Sequence, residues 1–169
     1  MKILVVGLGV IGTTYAYLFE KAGHDVEHFI REDSDKNSIE MLEVDLLDRR
    51  TDKYGNQVRD TYDVKHCSQK VYDFIFVSVP SGRIEDVIES LDNSQIRGTI
   101  ILACGVWENR ESLDTLMSGH DYLLGYPVAG GKCSSTHLEA CVFDHFMIEK
   151  EEKTDHLDTG VILIDCCAW

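Results

Sequence analysis

The feature that most constrains this chain is the succession of three short stretches at its start: KILVV at residues 2–6, GLGVIG at 7–12 and TTYAYLFEK at 13–21. The first is a nearly continuous apolar run, as found in a strand buried on both faces of a parallel sheet. The third is helical, with Gly23 placed to end it. A Gly-x-Gly-x-x-Gly string says little alone, but between a strand and a helix it predicts a dinucleotide-binding turn. Gly7 makes the tight turn, Gly9 lets the backbone approach a pyrophosphate, and Gly12 lets the helix lie close to the strand. Leu8, Val10 and Ile11 complete a run of backbone amides at the helix start, where partial positive charge favours phosphate.

The rest of the chain continues the alternation of strand and helix. DVEHFI at 25–30 is a second strand ending at Arg31, followed by a polar loop at 32–38 and a short helix at 39–42. Residues 43–64 read as a hairpin, EVDLLD and QVRDTYDV around a turn at Gly55 and Asn56. YDFIFVSVP at 72–80 is the most strand-like run and is expected to be central. Ile84, Val87, Ile88 and Leu91 then recur at helical spacing. GTIILACG at 98–105 and DYLLGY at 121–126 are strands flanking a helix at 109–117. AGGKCSST at 129–136 is expected to be a flexible loop, 138–149 one or two antiparallel edge strands, and 149–153 a solvated turn. The fold class that follows is α/β: a Rossmann-like, doubly wound and mostly parallel sheet with an antiparallel hairpin and edge strands. Residues 1–149 would form the NADP-binding domain. The apolar end, VILIDCCAW, makes 150–169 an extension that packs on this domain or joins two copies as a homodimer.

Charge and cysteine content exclude several classes. Thirty acidic against sixteen basic residues, a net charge of −14, repel nucleic acid and anionic membranes. No apolar run approaches the roughly 20 residues of a membrane helix, and the start lacks an export signal, so a cytoplasmic protein is expected. The six cysteines, Cys67, Cys104, Cys133, Cys141, Cys166 and Cys167, form no C-x-x-C pair, which argues against structural zinc. Adjacent Cys166 and Cys167 leave a redox-switch reading open.

The second strand's end selects the cofactor. An acidic residue there would take the ribose hydroxyls of NAD, whereas Arg31 can pair bidentately with a 2′-phosphate and stack beside adenine, favouring NADP. Glu32 and Asp33 follow directly and keep NAD as the second choice.

Residues 1–31, KILVVGLGVIGTTYAYLFEKAGHDVEHFIR after the initial Met, resemble the opening of the ketopantoate reductases (2-dehydropantoate 2-reductases). YDFIFVSVPSGRIEDVIESL and GTIILACGVWENRESLDTL continue the register, so the resemblance covers about residues 1–130. It implies the nucleotide-binding domain of that family, an NADPH site, and hydride transfer to the ketone of a small 2-keto acid. By position, Val79, Pro80, Cys104 and Gly105 would line the cofactor. Two of these depart from the pattern the resemblance implies: a lysine is expected at Pro80 and an asparagine at Cys104. Proline supplies neither charge nor N–H and a thiol is a weak donor, so neither inherits the family role. The family's helical domain, with its general-acid lysine, has no counterpart in this sequence. His120, His137, His145 and Lys132 are the conceivable proton donors, each more simply read as a surface residue. The alternative is a nucleotide-binding or sensing module that catalyses nothing.

Overall fold

The computed structural model describes residues 1–105 and 109–149, with the backbone of Ile162–Ile164. Among the described residues eleven strands and three helices appear in chain order: β1 (Lys2–Val6), α1 (Val10–Lys21), β2 (Asp25–Phe29), β3 (Met41–Asp48), β4 (Asn56–Asp63) and β5 (Val71–Val77). After a 3₁₀ turn at Ser81–Arg83 come α2 (Ile84–Asn93), β6 (Arg97–Leu102), α3 (Arg110–Leu116), β7 (Tyr122–Tyr126), β8 (Ala129–Cys133), β9 (His137–Val142), β10 (Met147–Glu149) and β11 (Ile162–Ile164).

The strands divide into two sheets. The larger has the order β11-β10-β7-β6-β5-β1-β2, parallel from β2 to β7, with β10 antiparallel to β7. Alternation along β1 shows why the sheet is buried on both faces. Ile3 and Val5 enter the core on the α1 side, whereas Leu4 and Val6 enter a second core with α2 and α3. The other sheet has the order β4-β3-β9-β8 and covers the far side of α1. Residues 12–19 of α1 are therefore buried without a break, because this helix has a sheet on each side. Tyr15, Phe19, Phe76 and Phe146 interlock at centroid distances of 5.1–6.2 Å between α1 and the large sheet.

The Rossmann-like α/β architecture matches the expectation, and the differences lie in how the glycine-rich and short apolar stretches are used. Residues 39–42 are not a helix: Met41 opens β3, and the alternation that buries Leu42, Val44 and Leu46 overrides a four-residue helical tendency. The predicted hairpin is β3–β4, but it belongs to the separate four-stranded sheet. AGGKC is a strand, not a loop. A Cβ at Gly131 would lie 2.7 Å from the Ala140 Cα, so the close β8–β9 pairing needs a residue without a side chain. Residues 138–149 split between the sheets: β9 is interior, parallel to β3 and antiparallel to β8, and β10 joins the large sheet. In the extension, Ile162–Ile164 pair parallel with β10, while Cys166 and Cys167 lie outside the described residues. No helix among the described residues is long and apolar enough to cross a membrane.

Candidate dinucleotide site

Strand order reverses between β1 and β5, since the chain leaves β1 toward β2 on one side and returns to β5 on the other. Ligands of open α/β sheets bind at the carboxyl ends of the strands at such a point. The chain turns there through Gly7, whose φ of +82° suits glycine. Its N–H donates to the Phe29 carbonyl at 2.8 Å, tying the turn to the end of β2.

Three carbonyls of the turn already have donors. The Gly7 carbonyl accepts from His28 Nδ1 at 2.8 Å, that of Leu8 from Lys36 Nζ at 2.7 Å, and that of Gly9 from the Thr13 N–H at 2.9 Å. The first-turn N–H groups of α1 have no intrahelical acceptor, and the N-cap residue, Gly9, makes no side-chain cap. The turn is therefore a donor surface with its acceptors tied back, suited to an anion. A Cβ on Gly9 would meet nothing within 4 Å, leaving open space, whereas one on Gly12 would lie 2.7 Å from Ser78 Oγ and 3.1 Å from Val5 Cγ1. Gly12 thus lets α1 lie close against β1 and Ser78, while the space at Gly9 is open.

A cleft of about 270 Å³ opens beside the turn, lined among others by Gly7, Leu8, Arg31, Val79, Pro80 and Arg83. The five of these that the sequence singled out are brought together; Arg83 and Ser34 were missed. Gly9, Val10, Ile11 and Gly12 form the adjoining helix start. Cys104 and Gly105 follow β6, two strands from β1 at the same sheet edge, and do not line this cleft. Arg31 is exposed, its Nε 3.7 Å from Asp33 Oδ1, and Arg83 Nε lies 2.5 Å from Asp86 Oδ2.

None of the conceivable proton donors lines the cleft. His120 follows α3, at the opposite edge of the sheet, beside Asp92. His137 pairs with Glu43, His145 with Asp144, and Lys132 lies in β8 beside a cavity on the small sheet's outer side. Among the described residues no group of three or more His, Cys, Asp or Glu side chains could hold a metal ion.

Behind the turn, His28 is fully buried. Because a carbonyl can only accept, Nδ1 carries the proton toward Gly7, and Nε2 accepts from the Tyr62 hydroxyl at 2.8 Å. Burial holds the ring down to about 4; the Gly7 bond opposes this shift and the neighbouring His66 adds to it. Burial also pushes the Tyr62 phenol up. A histidine inside a doubly buried strand was the signal available in DVEHFI, and its partner on β4 was not, because the pair is 34 residues apart.

A ketopantoate reductase PanE/ApbA family model matches residues 3–136. No curated protein matches the chain. Among solved structures, the fold is similar to that of a dimeric ketopantoate reductase from Staphylococcus aureus, with TM-score 0.69, 13% identity, and coverage of 98% of this chain and 55% of that one. A probable 2-dehydropantoate 2-reductase from Bacillus subtilis gives TM-score 0.67 at 20% identity, covering 96% and 57%. A D-mandelate dehydrogenase solved with NADH and anilino(oxo)acetate gives TM-score 0.68 at 13% identity, covering 98% and 57%. The chain spans 55–57% of the length of these three structures.

Proposed function

Because this chain belongs to the ketopantoate reductase PanE/ApbA family, we propose that residues 1–149 are the NADP(H)-holding domain of an oxidoreductase of that kind. The observation that carries the reading is the donor-rich start of α1 at the strand-order reversal, with Arg31 at the end of the neighbouring strand.

In this reading the amides from Gly9 to Gly12 hold the pyrophosphate, and the absence of a Gly9 side chain leaves room for it. Arg31 takes the 2′-phosphate by a bidentate pair, exchanging its 3.7 Å contact with Asp33 for a shorter one. Val79 and Pro80 form an apolar wall of the cleft, with Cys104 and Gly105 further along the sheet edge toward the nicotinamide end. The reduced cofactor would supply a hydride to the carbonyl carbon of a small 2-keto acid, leaving a 2-hydroxy acid. The carbonyl oxygen then needs a proton, for which the sequence offers His120, His137, His145 and Lys132, none of them lining the cleft beside the glycine turn.

A second reading, a nucleotide-binding module without chemistry, is favoured by Pro80 and Cys104, which lack the charge and amide that the resemblance implies. Residues 150–169 are assigned as an extension; pairing of Ile162–Ile164 with β10 supports packing on its own sheet, and a homodimer through this segment would make light scattering concentration-dependent. Among the described residues Cys67, Cys133 and Cys141 are not in disulfides, consistent with a reducing compartment such as the cytoplasm.

Calorimetric titration of the 169-residue chain with NADPH and NADH tests the cofactor assignment. Submillimolar binding of NADPH, tighter than of NADH, is expected; no binding of either removes the reading. Adding ketopantoate to the NADPH complex and following loss of reduced cofactor separates enzyme from module.

A further inference from the structure

The loop after β2 carries two cations, and they are held differently. Arg31 lies against Asp33, whereas Lys36 reaches the glycine turn and donates to the Leu8 carbonyl at 2.7 Å. Arg83, across the cleft, is also on a carboxylate, that of Asp86. Among the described residues no carboxylate lies within ion-pairing distance of Lys36, on a chain whose net charge is −14. Its ammonium has three donors, so the Leu8 bond leaves two for another acceptor.

Three hydrogen bonds order the loop around this lysine, two of them to its own backbone. The Lys36 N–H donates to Ser34 Oγ at 3.3 Å, the Ser34 N–H to the Arg31 carbonyl at 3.0 Å, and the Ile39 N–H to the Lys36 carbonyl at 3.2 Å. Ile39, three residues on, is buried in the core between α1 and the small sheet and fixes the loop's far end. The lysine is half-buried, so less entropy remains to be lost when it meets a ligand.

Building on the nucleotide reading above, we infer that Lys36 is a charge clamp for the dinucleotide pyrophosphate, acting beside the α1 amides. It adds a full positive charge where helix amides alone offer a partial one. The division of labour with Arg31 is chemical: Arg31 recognises a phosphate found only in NADP, and Lys36 a pyrophosphate that NAD and NADP share.

Lys36→Met, which keeps the chain length and removes the charge, and Lys36→Arg, which restores it, are titrated with NADPH, NADH and 2′-AMP. Lys36→Met is expected to weaken NADPH and NADH each about tenfold and to leave 2′-AMP, which has no pyrophosphate, within twofold. Lys36→Arg recovers most of the lost affinity. Unchanged 2′-AMP binding and an unchanged Tm show that the variant is folded. If NADPH and NADH change less than twofold, or if 2′-AMP weakens equally, the clamp is refuted while the nucleotide site stands. If the unmodified chain binds none of the three, both readings fall.

Discussion

His28 should make folding stability depend on pH in a window that few other groups share. Its ordinary value is 6.5 and burial holds it at about 4 in the folded protein. Above pH 6.5 the ring is neutral in both states and has no effect. Below it the unfolded chain takes up a proton that the folded ring refuses, so stability falls as pH drops toward 4 and levels off beneath. The full loss is about 3 kcal/mol, of which about 2 kcal/mol is present by pH 5. Glu27, Asp48, Asp60 and Asp144 are held below ordinary values of 4.5 and 3.8, so their contributions are lost mainly below pH 5. Urea unfolding of the wild-type chain and of His28→Asn, each at pH 7 and pH 5, gives the measurement. Asparagine keeps a donor toward Gly7 and does not titrate. Whatever the variant's absolute stability, its drop from pH 7 to pH 5 should be about 2 kcal/mol smaller than that of the wild type. Equal drops would mean that His28 is not buried as a neutral ring, and the tie from the small sheet to the glycine turn would be wrong.

Three further outcomes are expected. Tyr62→Phe removes the donor to His28 Nε2 and leaves that buried atom unpaired, costing about 1–3 kcal/mol by urea unfolding at pH 7. Gly9→Ala and Gly12→Ala should separate binding from folding. The first meets open space and should keep its Tm while losing at least about tenfold in NADPH affinity; the second collides with Ser78 and Val5 and should lose about 1–3 kcal/mol of stability. Arg31→Ala should weaken NADPH by about tenfold or more and change NADH by less than about threefold, as loss of a bidentate phosphate pair requires; equal losses would sink the assignment of Arg31 to the 2′-phosphate.

What the residue order determined by itself was local. KILVV, GLGVIG and the following helix specified strand, turn and helix, because a short continuous apolar run, glycine freedom and a helix-forming stretch that a glycine can end are each properties of neighbouring residues. Arg31 was legible for the same reason, as the residue that ends the second strand's run. Long-range pairing decided the rest. AGGKC reads as a loop until the Ala140 backbone packs against Gly131 and excludes any side chain. The hairpin's alternation was visible, but not that it would turn its apolar face to α1, because that depends on β9 arriving from about ninety residues away to complete the sheet. The cleft shows the same division. Its glycines and arginine lie where sequence spacing puts them, whereas Lys36 on the Leu8 carbonyl and Tyr62 behind His28 come from contacts 28 and 34 residues apart. Contacts across such distances leave no periodic trace in the chain, because only the closing of the fold brings their donors and acceptors within bonding range.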